Sequence, residues 1–254
     1  MLATGLATDL GAALDPVVLA RRMGIEPDPW QARVLRSGAR QLLLNCSRQV
    51  GKSTITSILA AHAALYAPGA PVLILSPSLR QSGLLFAKVK ATLRALGSGF
   101  SDLTTDNALS VTLGNGSEIH SLPGKAGTVR GFSGVRLLII DESAYVADEL
   151  YRAVRPMLAV SGGRLVLLSS PFGRRGFFHD EAARGGPHWE RFTVTYRDCP
   201  RMDPAFIEEE RRALGIFFAQ EYECAFLDTV NALFAGEDID RAFANDVQPL
   251  FALE

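Results

Sequence analysis

The stretch from Gln41 to Thr54, Q-L-L-L-N-C-S-R-Q-V-G-K-S-T, leaves few folds open to this chain. Leu42 to Leu44 is a short apolar run of the kind that forms a buried strand. Ile55, Ile58, Leu59, His62 and Leu65 then recur on one face of a helix. The turn between the two holds Val50, Gly51, Lys52 and Ser53. A strand, a turn and a helix in that order predict a phosphate-binding loop, because the N–H groups of the turn and of the first helical residues converge and favour an anion there. In such a loop Lys52 reaches the β- and γ-phosphates of a nucleotide, and Ser53 ligates Mg²⁺. The full pattern is G-x-x-x-x-G-K-[ST], and Cys46 stands where the first glycine belongs. A bare Gly-Lys-Ser carries little weight alone, so the rest of the chain has to decide.

With 254 residues, 48% of them apolar, the chain can bury one substantial core, which predicts one domain with at most a small appendage. No apolar run approaches the ~20 residues of a membrane span, and the N-terminus has no basic region ahead of its apolar residues, so it does not read as a signal peptide. Three cysteines, Cys46, Cys199 and Cys224, have no metal-ligand spacing and suit reduced thiols. The formal charge of −1 excludes a global positive field, so any contact with DNA has to come from a local patch.

Asp15 to Met23 predicts a helix, with Asp15 as N-cap, Pro16 at the first position and Gly24 past the end. A second helix is expected from Asp28-Pro29 to Gly38. Its Gln31 has two readings: the amide matches the hydrogen-bonding edge of adenine, or it caps a turn. Val72 to Ser76 reads as a second buried strand, followed by Ser76-Pro77-Ser78 and a helix over about Leu79 to Leu96. The bases of that helix, Arg80, Lys88, Lys90 and Arg94, suit either DNA phosphates or a solvated face. Gly114 to Ser117 signals a hairpin between Leu109–Leu113 and Glu118–Leu122. The glycine-rich loop from Pro123 to Gly131 contains Arg130. Val135 to Ile140 is the strongest strand, and it is closed by Asp141-Glu142. That is the Walker B pattern, with Asp141 in the Mg²⁺ shell and Glu142 polarising a water. The competing reading is an acidic helix cap. Arg164 to Ser169 is another strand, ending in Ser169-Ser170-Pro171. In P-loop ATPases with an extra strand between those of Walker A and Walker B, a polar motif here lies next to the γ-phosphate. Arg191 to Tyr196 predicts a last strand at the sheet edge. Pro204 to Ala213 and Phe217 to Phe226 predict a small helical lid, after which Phe234, Ile239 and Phe243 are scattered anchors.

Taken in order, Pro29-Trp30-Gln31, then S-R-Q-V-G-K-S, S-P-S, T-V-R-G, L-L-I-I-D-E and S-S-P-F-G resemble the ATPase domain of the large terminase subunit of tailed bacteriophages. The resemblance runs from about Pro29 to Gly173. It accounts for Cys46, since large terminases commonly use a loop that lacks the first glycine and carries an arginine, here Arg48. It implies an α/β P-loop NTPase fold of the RecA-like (ASCE) type, with a mostly parallel central sheet flanked by helices and a small C-terminal lid. The implied divisions are a helical segment over 1–40, an ATPase core over 41–197, a lid over 198–235, and over 236–254 the start of a linker to a nuclease domain. No nuclease activity is expected from this chain.

The resemblance implies ATP and Mg²⁺. Gln31 would contact adenine, and Ser47, Arg48, Gln49, Val50, Gly51, Lys52, Ser53 and Thr54 would cradle the nucleotide. Ser53 and Asp141 would hold the metal. Lys52, Arg48 and the base Glu142 would act in catalysis, Ser169 and Ser170 in coupling. Arg130 would be supplied to a neighbouring subunit's nucleotide; a structural ion pair is its other reading. The implied partners are double-stranded DNA, further copies in a ring, a portal protein and a small terminase subunit, with no membrane, at the portal vertex of a procapsid in the host cytoplasm. A helicase-type translocase and a non-hydrolysing nucleotide-binding module are the alternatives. All of these readings require the two Walker strands to run side by side and present an ammonium and two acids to one triphosphate.

Overall fold

The computed structural model describes residues 9–97, 103–124, 129 and 131–228. Four apolar hexamers or pentamers make the middle of one sheet: β1 (Gln41–Cys46), β2 (Pro71–Ser76), β6 (Leu137–Asp141) and β7 (Arg164–Ser169). Each is almost wholly buried, as parallel strands covered on both faces must be. The eight strands run in the order β3-β4-β5-β2-β6-β7-β1-β8, with β3 (Leu103–Asp106), β4 (Ser110–Leu113) and β5 (Glu118–Pro123) at one side and β8 (Trp189–Val194) at the other. From β5 to β8 all neighbours are parallel; β3, β4 and β5 meet antiparallel.

Alternation along the strands divides the core in two. Leu42, Leu44, Val72, Ile74, Ile139, Val166 and Leu168 face one layer. That layer contains α1 (Pro16–Arg22), α2 (Pro29–Arg36), α3 (Lys52–Tyr66) and α4 (Leu79–Ala95). Leu43, Leu73, Leu75, Leu138, Ile140, Leu165 and Leu167 face the other, which holds α5 (Asp148–Val154) and α6 (Gly176–Ala183). Two further helices, α7 (Pro204–Leu214) and α8 (Phe217–Glu223), gather a separate small cluster of Ile207, Phe218 and Tyr222. None of the described helices is long and apolar enough to cross a membrane.

The fold is thus the expected α/β one with a mostly parallel sheet. Asp15 caps α1 by accepting from the Val17 N–H at 2.9 Å, and Pro16 opens it. One expectation needs correcting. The strands carrying Lys52's loop and Asp141 are not immediate neighbours, because β7 lies between them, which is the extra-strand arrangement. Their carboxyl ends still share one edge: Asn45 is in register with Ser169, and Asp141 with Leu168. Strand β3 adds to the expected set, since Leu-Thr-Thr-Asp is mostly polar and exposed; it is held as an edge by pairing with β4. Helices α5 and α6 are additions too. The scattered anchors Phe234, Ile239 and Phe243 and the linker over 236–254 lie outside the described residues.

Candidate active site

Two left-handed residues shape the loop after β1. Gln49 has φ +61° and Gly51 φ +93°, and Gly51 is the N-cap of α3. Left-handed backbone strains any residue with a Cβ, and at Gly51 a Cβ would also lie 2.8 Å from Gln31 Nε2. Cys46 is fully buried, and that burial pushes its thiol up, so it remains a protonated packing group in place of a glycine. Ser47 is buried too, its N–H donating to the Val194 carbonyl at 2.8 Å. Lys52 folds back over the loop and donates to the Ser47 carbonyl at 3.2 Å. Val50 is buried, while Arg48 and Gln49 are exposed at the rim. Thr54 belongs to the first turn of α3, its N–H bonded to the Gly51 carbonyl at 3.0 Å.

Across β7 stand the two acids. Burial in the cleft, reinforced by the adjacent Glu142 charge, pushes Asp141 up to about 7, and the Lys52 ammonium pulls the other way. Lys52 therefore acts on Asp141 across the intervening strand. Glu142 has φ +48°, a left-handed turn out of β6 that aims it differently from Asp141. Ser169 Oγ donates to Glu142 Oε2 at 3.3 Å. Ser170 is hydrogen-bonded to Tyr145, whose ring stacks on Phe172 with centroids 4.4 Å apart. Ser169 and Ser170 are both buried. They join the general-base candidate to the loop that follows β7.

Gln31 reaches the loop from α2. Its Oε1 accepts from the Asp28 N–H at 2.9 Å, and its Nε2 donates to the Val50 carbonyl at 3.4 Å. Asp28 is held from behind by both Nη atoms of Arg201, at 2.5 and 2.7 Å. Arg48 is tied to α8: its side chain pairs with Glu221, and its N–H donates to the Glu221 carbonyl at 3.0 Å. A second tie runs from Asn45 Nδ2 to the Cys224 carbonyl at 2.9 Å. Ser53 Oγ accepts from Lys88 Nζ of α4 at 2.9 Å. Arg130 lies outside the described residues.

The structure therefore gathers Gln31, the loop from Ser47 to Thr54, Asp141, Glu142, Ser169 and Ser170 at one edge of the sheet. Sequence reading does not single out Lys88 or Glu221. A cleft of about 430 Å³ lined by Arg40, Arg136 and Arg164 is a different place, formed at the amino-terminal ends of the strands.

The donor set suits MgATP. Mg²⁺ takes one or two carboxylates and completes its shell with phosphate and water, and Ser53 with Asp141 offers one hydroxyl and one half-buried carboxyl. A carboxyl held protonated to about 7 by burial is one that a divalent cation stabilises on arrival.

Residues 43–241 match the family described as "Terminase large subunit, T4likevirus-type, N-terminal". The large terminase subunit of Escherichia phage T5 is 30% identical over 238 residues, which cover 85% of this chain and 53% of that protein. That of Thermus phage G20c is 24% identical over 252 residues, 85% of this chain and 52% of that protein. The chain spans about half the length of these relatives. Among solved structures, the ATPase domain of the Thermus phage P74-26 large terminase superposes with a TM-score of 0.72 at 23% identity, covering 82% of this chain and 97% of that one.

Proposed function

This chain belongs to the family of terminase large subunits, T4likevirus-type, N-terminal, and on that premise we propose that it is the ATP-hydrolysing motor domain that moves double-stranded DNA into a viral procapsid. The observation that carries this reading is the meeting of Lys52, Asp141, Glu142 and Ser169 around one anion-shaped loop, from three strands far apart in sequence. A large terminase from a thermophilic bacteriophage is known in complex with ATP-gamma-S.

In this reading the N–H groups of Gln49 to Ser53 receive the phosphates, and Lys52 leaves the Ser47 carbonyl for the β- and γ-oxygens. Ser53 and Asp141 are the residues that would hold Mg²⁺, which would supply neutralisation of phosphate charge. Glu142 takes a proton from the attacking water, whose oxygen bonds to the γ-phosphorus while the bond to the β-phosphate oxygen breaks and ADP leaves. The hydrogen bond from Ser169 fixes the rotamer from which Glu142 does so. Loss of phosphate then leaves Ser169 with Glu142 as its partner, and Ser170 passes the change to Tyr145 and Phe172. Gln31 contacts adenine, and Arg48 exchanges Glu221 for phosphate. Arg130 serves the nucleotide of the next copy in a ring, where a cation at the γ-phosphate is worth ~10³ to 10⁵ in rate. The ring assembles on a portal protein with the small terminase subunit, in the host cytoplasm.

Phosphate release by wild type, Glu142→Ala and Arg130→Ala, alone and mixed, tests the proposal. Each variant alone should be silent, and a mixture should regain activity if Arg130 acts between subunits. No turnover by wild type at any protein concentration, with DNA present, would favour a nucleotide-binding module instead.

A further inference from the structure

Three bases lie close together in the second half of helix α4, and two of them share one acid. Lys90 Nζ and Arg94 Nη2 donate to the two oxygens of Asp106 on β3, at 2.9 Å each. Lys88 does not join them. Its ammonium reaches back to Ser53 Oγ at 2.9 Å, and among the described residues no carboxylate pairs with it. A cation thus stands at the mouth of the phosphate loop, on the hydroxyl that a bound Mg²⁺ needs.

The two cations cannot share that oxygen. Mg²⁺ binds oxygen at about 2.1 Å and demands near-ideal geometry, so an ammonium in hydrogen-bond range of the same atom has to move. The oxygens nearest to it are then those of the triphosphate. Its direction of approach selects among them. Helix α4 starts from the carboxyl end of β2, and β2 is the neighbour of β6, which delivers Asp141 and Glu142. Lys52 comes from a different element, the first residue of α3 after the loop that follows β1. The side of Asp141 and Glu142 is where the terminal phosphate must lie for Glu142 to act on its water.

Building on the ATPase reading above, we propose that Lys88 is a nucleotide-contacting residue that leaves Ser53 for the γ-phosphate when MgATP fills the loop, and so distinguishes ATP from ADP. Lys88 and Lys52 then grip the terminal phosphate from two elements within one subunit. This contact is separate from any arginine supplied by a neighbour.

The test is calorimetric titration of the non-hydrolysed analogue ATPγS and of ADP, each with Mg²⁺, into wild type, Lys88→Met, Lys88→Arg and Lys90→Met. Lys88→Met should weaken ATPγS about ten-fold or more, as expected for the loss of one charge-assisted hydrogen bond, and leave ADP within about two-fold. Lys88→Arg should recover most of the loss. Lys90→Met, which removes a base from the same helix, should change neither affinity. An unchanged ratio of ATPγS to ADP affinity in Lys88→Met overturns the proposal, whether both affinities hold or both fall together as a packing defect would make them. Wild type that binds neither nucleotide overturns the ATPase reading itself, so the two failures are distinguishable.

Discussion

Replacing Asp141 with Asn should stabilise the nucleotide-free protein, and by more at pH 8 than at pH 5. The carboxyl sits at about 7 in the folded chain against an ordinary value of 3.8, chiefly through burial and then through the Glu142 charge. A folded-state value above the unfolded one means that the native protein binds the proton more tightly. The contribution of Asp141 to stability is therefore fully present below 3.8 and is lost as pH rises through about 7. Integrating between those values puts the cost of ionising Asp141 at roughly 2 kcal/mol at pH 5 and about 4 kcal/mol at pH 8. The difference, about 2 to 3 kcal/mol, is an upper figure. Solvent still reaches part of the Asp141 side chain, and screening brings the expected value toward roughly 1 to 2 kcal/mol. Asparagine keeps an oxygen for the bond from the Glu142 N–H and removes the charge. Urea unfolding of both proteins at pH 5 and pH 8, with EDTA present, measures the gap directly. A variant whose stability difference from wild type is the same at both pH values refutes the reasoning, since it would mean that Asp141 titrates as it does in water.

Two other substitutions probe the loop. Gly51→Ala has to place a Cβ at φ +93° and within 2.8 Å of Gln31 Nε2, so it should cost about 1 to 2 kcal/mol of stability and abolish nucleotide binding, both readable from thermal melts with and without MgADP. Glu221→Gln should release Arg48 from its lid partner; affinity for MgATP, measured by titration, should rise several-fold with little change in melting temperature, because the Arg48 side chain is 58% exposed and such pairs contribute about 1 kcal/mol or less.

The strands of the middle sheet were legible because Leu42–Leu44, Val72–Leu75, Leu137–Ile140 and Leu165–Leu168 have no polar interruption, and a parallel strand buried on both faces tolerates none. Asp141 and Glu142 were legible because they close such a run, and Gly51 and Lys52 because they stand between one and the apolar face of a helix. The position of β7 was only partly so. Strand order depends on crossover packing, and the one pointer was the polar Ser169-Ser170 at its end. The role of Lys88 was unreadable for another reason. It is one of several bases on an amphipathic helix, and whether its flexible stem turns to Ser53 or to solvent is settled by how α4 packs against α3. Glu221, in a run of polar and aromatic lid residues, carries no signal of its own. A search for acids after the last strand would have found it only together with several others. The polar edge strand β3 escaped because edge pairing, not burial, holds it in the sheet.

The bonds between the phosphate loop and α8 are of two kinds. The pairing of the Arg48 guanidinium with Glu221 is one that an incoming anion can compete for; the links from the Arg48 N–H to the Glu221 carbonyl and from Asn45 to the Cys224 carbonyl are not. Nucleotide arrival can therefore unlatch α8 without unhinging it. In the proposed cycle α8 would then turn about the end of β1 rather than leave it, held there by the Arg48 N–H and the Asn45 amide.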